Sequence, residues 1–215
     1  MLPGAARHET PGTEGEGAGA DLDTVAAVLG EVVQALERAR VAYALIGGLA
    51  SSVLGRPRCS NDVDVLVAPA GAEPAITALA RAGFEIDRIN PHWLYKAFKR
   101  DVLVDVLFKA SGDLYLDDEM VRRSTVRTFR GTRARVLPPE DLIVMKAIAF
   151  DEETPRHWYD ALGMLRSPEL DWDYLATRAR CRPHRVLSLL HFAASIDVPV
   201  PRRILRRLAR PVLHA

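Results

Sequence analysis

Three short stretches carry residue types suited to chemistry on phosphate esters. Asp62-Val63-Asp64-Val65 puts two carboxylates two positions apart in a segment that alternates acid with valine. On a strand, residues i and i+2 share a face, so both acids point one way and the valines anchor the other side. Two carboxylates this close raise each other's pKa. A divalent cation removes the conflict, and hard oxygen ligands suit Mg2+. An exposed strand face with two acids is the plainer alternative. The second stretch is Leu45-Ile46-Gly47-Gly48, where an apolar run ends in two glycines. Glycines at a strand-to-helix turn let a phosphate approach bare backbone, and the helix start offers unpaired N–H groups. A tight turn that simply needs glycine reads the same way. The third is Asp105, one acid inside the apolar run Val102–Phe108. An unpaired carboxylate there is costly to bury, so it should have a metal, a cation or a catalytic task. If its strand lies beside that of Asp62 and Asp64, three carboxylates can hold two Mg2+ about 4 Å apart, the spacing used for in-line transfer at phosphorus.

The elements that must position these residues follow from periodicity. Leu22, Val25, Val28, Leu29, Val32, Val33 and Leu36 recur at helical spacing over 22–40, with Asp21 or Asp23 as cap. Residues 41–46 read as a buried strand, and a helix is expected over 49–54. Residues 62–67 read as a strand, 72–82 as a helix and 84–89 as a strand. Two more strands, 93–98 and 102–108, flank a Lys99-Arg100-Asp101 turn. A further hairpin, 121–129 with 133–137, is expected around Gly131. Pro138-Pro139-Glu140 starts a helix through Phe150, and helices follow near 156–166, 171–180, 183–196 and 200–209. The fold class is therefore α+β. A mixed half over 21–137 is followed by a helical region over 138–215, and residues 1–20, rich in glycine, read as a disordered tail.

The order of these features is more informative than any one of them. Leu45-Ile46-Gly47-Gly48, then Asp62-Val63-Asp64 after thirteen intervening residues, then Val104-Asp105-Val106, resembles the polymerase-β-like nucleotidyltransferase superfamily. Arg58-Cys59-Ser60-Asn61-Asp62-Val63-Asp64 is similar to the Arg-x-(Thr/Ser)-x-Asp-x-Asp form of its AbiEii/MenT-type branch, which contains toxins of toxin–antitoxin systems. Pro139-Glu140-Asp141-Leu142-Ile143-Val144-Met145-Lys146 and Arg156-His157-Trp158-Tyr159-Asp160 resemble two later helices of that branch. The resemblance spans roughly residues 25–170. It implies a polymerase-β-like core, a mixed sheet flanked by helices, with a helical C-terminal region. It implies transfer of a nucleoside monophosphate from an NTP to an acceptor hydroxyl. Asp62, Asp64 and Asp105 would hold two Mg2+ (or Mn2+), Gly47, Gly48, Arg58 and Lys146 the triphosphate, and Lys146 and Asp160 would belong to the catalytic set. The sequence departs from the pattern at two places. Gly48 stands where many members have serine, so a hydroxyl for a phosphate must come from Ser51 or Ser52 or be absent. His157 stands where an aspartate is common.

Composition bounds the setting. Hydrophobic residues make up 48% of the 215 and charged residues 27%, a globular balance able to bury a core without staples. Two cysteines, Cys59 and Cys181, cannot build a disulfide framework. The longest uncharged run, Val41–Gly55, is too short to span a bilayer, and no signal peptide is visible, so a cytoplasmic protein without a membrane partner is expected. Net charge is only +1, yet 25 of the 29 basic residues are arginine, and from Tyr174 onward nine arginines face a single acid, Asp197. That end favours an RNA acceptor such as a tRNA, with an acidic partner protein such as a cognate antitoxin as the rival reading. A small-molecule acceptor, and a non-catalytic nucleotide- or partner-binding module, are the remaining alternatives.

Overall fold

The structure, a computed structural model, describes residues 20–213. The tail expected over 1–20 falls, apart from Ala20, outside the described residues. The chain opens with helix α1 (Leu22–Arg38), capped by the Asp21 carboxylate, which accepts from the N–H groups of Asp23 and Thr24. Then come β1 (Tyr43–Leu45), α2 (Gly47–Leu54), β2 (Val63–Val67), α3 (Ala72–Arg81), β3 (Glu85–Asn90), β4 (Leu94–Lys99) and β5 (Val102–Leu107). Helix α4 (Asp118–Arg123) precedes the hairpin of β6 (Thr125–Phe129) and β7 (Thr132–Val136). Helices α5 (Pro139–Ala149), α6 (Arg156–Leu165), α7 (Trp172–Arg178), α8 (Pro183–Ser195) and α9 (Arg202–Leu213) complete the chain.

All seven strands join one mixed sheet in the order β3-β4-β5-β2-β1-β7-β6. β2 and β5 run parallel, as do β1 and β7; the other neighbours are antiparallel. In β2 the valine face lies in the core, and on the other face Leu66 is buried too. Val63, Val65 and Val67 are fully buried, while Asp64 is partly exposed. Helices α1 and α3 pack against the sheet, and α5 serves as the hub for α6, α7 and α8. One apolar cluster runs from Val25 of α1 to Leu208 of α9. Among the described residues no helix is long and apolar enough to cross a membrane.

Two elements differ from the expectation. Helix α2 begins at Gly47, two residues early, because Gly47 takes φ +65° and turns the chain straight from β1 into the helix. The expected strand from Val121 starts only at Thr125. Before it, Asp117 caps α4 by accepting from the Met120 N–H at 2.8 Å, and Glu119 pairs with Arg122 and Arg123 one turn on. Met120 is buried, so this short helix is held by packing as well as by its cap.

Candidate active site

The two glycines each make room for a different chemical group. A Cβ on Gly47 would lie 1.9 Å from Oδ2 of Asp64, and the left-handed φ forbids it independently. A Cβ on Gly48 would lie 2.2 Å from Oγ of Ser60 and 2.7 Å from Nη2 of Arg58. The turn therefore gathers a carboxylate, a hydroxyl and a guanidinium around the first residues of α2. The Gly48 N–H lies close enough to the Asp64 carboxylate to favour its charged form.

The strand register brings the carboxylates together. On the parallel pair β2/β5, Asp64 lies directly beside Asp105. On β4, Lys96 lies directly across from Asp105, and its Nζ donates to Oδ1 at 3.1 Å. Asp62 sits exposed one residue before β2. Burial, then the charges of Asp105 and Asp62, push the Asp64 carboxyl up to about 7, against the opposing pull of Lys146 and the Gly48 N–H. Burial also raises Asp105, partly offset by Lys96. These residues fit a divalent cation by their chemistry: hard oxygen donors, side by side, whose mutual repulsion a cation would relieve. Among the described residues no three such side chains converge as a finished cage, and Asp105 is paired with Lys96.

A cationic cluster stands next to this acidic one. Asp160 on α6 is 0% exposed and accepts from three cations: Lys146 Nζ at 2.8 Å, Arg58 Nε at 3.2 Å and Arg56 Nη1 at 3.1 Å. Burial alone would push the Asp160 carboxyl up, but Lys146 and Arg58 outweigh it and hold it below the usual range. His157, on the same helix, is pulled down to about 4, first by burial and then by Lys146 and Arg156. It is therefore neutral near pH 7 and adds no further positive charge to the cluster. Three cations on one carboxylate leave a net positive face beside Gly48, where Arg58 points.

The sequence-predicted residues thus fall into two adjoining groups. Gly47, Gly48, Asp62, Asp64 and Asp105 form one; Arg58, Lys146 and Asp160 form the other. Lys146 is buried and turned to Asp160. The Ser51 hydroxyl is buried and donates to the Gly47 carbonyl at 2.7 Å, and Ser52 donates likewise to Leu49. Lys96 was not singled out in the sequence, and Ser60 only as part of a motif. Lys96 was missed because a turn over 99–101 would pair residue 96 with 104; the turn is instead Arg100-Asp101, both at positive φ, with Lys99 opposite Val102, which brings Lys96 across from Asp105. Ser60 fills the Thr/Ser position of the Arg58–Asp64 stretch, but its closeness to Gly48 depends on how the 55–62 loop folds back.

A family model described as an uncharacterised nucleotidyltransferase matches residues 18–196. The chain belongs to this nucleotidyltransferase family. No curated protein matches it. Among solved structures, the solution structure of the antibiotic-resistance factor ANT(2'')-Ia is similar with a TM-score of 0.53 at 16% identity, covering 81% of this chain and 100% of that one. An antigenic nucleotidyltransferase-like protein from Paracoccidioides brasiliensis gives a TM-score of 0.53 at 17% identity, covering 89% and 95%. At such identities the likeness is one of fold. The seven-stranded mixed sheet with flanking helices is the α+β nucleotidyltransferase fold, and membership of the family implies an NTP as substrate.

Proposed function

We propose that this nucleotidyltransferase moves a nucleoside monophosphate from an NTP to an acceptor hydroxyl. The acceptor oxygen bonds to the α-phosphorus, the bond from that phosphorus to the leaving oxygen breaks, pyrophosphate departs and the hydroxyl proton is released. The observation that carries the reading is the register of Asp64 beside Asp105, next to the bare Gly47–Gly48 turn. Asp62, Asp64 and Asp105 would hold two Mg2+ or Mn2+, which supply charge neutralisation at phosphorus and an activated acceptor oxygen. Arg58 and the backbone at Gly47 and Gly48 bind the triphosphate. Asp160 positions Arg58 by accepting from its Nε and Nη2, and Lys146 holds Asp160 in turn. Catalysis of this kind is positioning plus preset electrostatics.

The acceptor we favour is RNA, in keeping with a toxin-type enzyme. Its support is the outer face of α9, where Arg202, Arg206 and Arg210 are exposed at four-residue spacing. A second reading has its own observation. Glu85 and Asp87 on β3 are exposed, and Asp87 continues the cross-strand row Lys96, Asp105, Asp64. Acids on that side repel a polyanion and suit an amino-bearing small acceptor, the class to which tobramycin, named in an ANT(2'')-Ia complex, belongs.

The test is pyrophosphate release from each NTP with Mg2+, offered RNA or an aminated polyol. Asp62→Asn/Asp64→Asn should abolish turnover and leave the fold intact. Unchanged turnover in that variant refutes the site. Release stimulated by the polyol and not by RNA moves the acceptor to the second reading.

A further inference from the structure

Ser60 lies in the loop between α2 and β2 and is partly exposed. Its Oγ occupies the space above Gly48 that a side chain at position 48 would fill, 2.2 Å from where that Cβ would be. Nη2 of Arg58, which also donates to Oδ2 of Asp160 at 3.3 Å, borders the same space at 2.7 Å, so a hydroxyl and the edge of a guanidinium meet over one residue that has no side chain of its own. The other hydroxyls nearby are spent: Ser51 on the Gly47 carbonyl and Ser52 on the Leu49 carbonyl, each at 2.7 Å. Among the described residues the Ser60 hydroxyl has no hydrogen-bond partner. It is a free donor beside a cation, at the turn where the triphosphate is placed.

We infer that Ser60 donates to a phosphate oxygen of the NTP and that Gly48 is glycine in order to admit it. The inference rests on the nucleotidyltransferase reading and deepens it. A hydroxyl attached at position 48 would reach the same place from the helix side. Here the loop supplies it from above, and the two arrangements exclude each other sterically. This explains a glycine at position 48, whose backbone, unlike that of Gly47, does not have positive φ.

Isothermal titration with inorganic tripolyphosphate and Mg2+ reads phosphate binding without knowledge of the base or the acceptor. Ser60→Ala removes one hydroxyl that faces charged oxygens and should weaken binding roughly 10- to 100-fold. Its thermal midpoint should not move, because the hydroxyl holds no other group. Gly48→Ser alone should also weaken binding, as the new Cβ collides with Ser60. Gly48→Ser/Ser60→Gly transplants the hydroxyl and should recover most of the lost affinity, which a merely structural role for Ser60 would not give. Ser60→Ala binding within about twofold of the unsubstituted chain overturns the inference alone, as does a double variant no better than Ser60→Ala. If the unsubstituted chain binds no tripolyphosphate, the nucleotidyltransferase reading falls and takes this inference with it. If it binds, weakens on Ser60→Ala, yet turns over no NTP, Ser60 stands as a phosphate ligand and only the reaction is lost.

Discussion

Asp64→Asn should change how stability depends on pH, in a direction fixed by the site. Burial and two neighbouring carboxylates push the Asp64 carboxyl from an ordinary 3.8 to about 7. Between those values the native state holds a proton that the unfolded chain has released. Stability therefore falls as pH rises from about 4 to about 7 and levels off above. Two pH units of that window lie between pH 5 and pH 7, worth about 3 kcal/mol at 1.36 kcal/mol per unit. Asparagine does not titrate and keeps the shape of the side chain. The variant should thus be the more stable protein at pH 8, by about 3 kcal/mol relative to its standing at pH 5, or about 6 to 12 °C in midpoint for a chain of this size. Other groups also titrate. Asp141, raised to about 6 chiefly by burial, acts with Asp64, and His157, lowered to about 4, acts against it below pH 6.5. The difference between parent and variant cancels both. The assay is urea or thermal unfolding of metal-free protein at pH 5, 6, 7 and 8, repeated with Mg2+, which should raise the parent's midpoint more at pH 8 than at pH 5. A parent-minus-variant difference that is flat across this range would refute the claim that the carboxylates are clustered and desolvated.

Asp105→Asn should lower the single-turnover rate at saturating NTP far more than it weakens NTP binding, because Asp105 lies on the β4 side of Asp64, away from the glycine turn; collapse of affinity with normal chemistry would reverse the assignment. Asp160→Asn strands Lys146, Arg56 and Arg58 around an uncharged amide and should cost about 3 to 5 kcal/mol in urea unfolding; a loss below about 1 kcal/mol, the worth of a surface pair, contradicts a buried hub. Arg202→Gln/Arg206→Gln/Arg210→Gln should flatten the salt dependence of single-stranded RNA binding by about two log units per log unit of salt, at roughly 0.7 for each phosphate. Arg203 and Arg207 are excluded from that variant because both are tied to Asp173 on α7, so replacing them would loosen α9 instead. An unaltered slope places the acceptor elsewhere.

What the sequence determined by itself was the set of strongly periodic elements and the order of the chemical motifs. The alternation in Val63–Val67 and the run Val102–Leu107 specify strands because one face of each must be buried, and a slip of one residue would invert them. The register across the next hairpin was not legible in the same way: a turn over 99–101 would set Lys96 opposite Val104, and only the two-residue turn Arg100-Asp101 sets it opposite Asp105. Helix α4 was less legible, since its six residues hold one fully buried apolar side chain and no repeat of the helical period. Tertiary structure alone decided that β5 pairs with β2, which makes one site of Asp64 and Asp105, because 40 residues of intervening chain carry no local signal for that pairing. It alone made Asp160 the anchor for cations from the 55–62 loop and from α5, a contact formed across 102 positions for Arg58. Ser60 above Gly48 is the same case on a smaller scale. Closeness in space between distant residues is set by the packing of many side chains at once, and no short stretch of sequence encodes it.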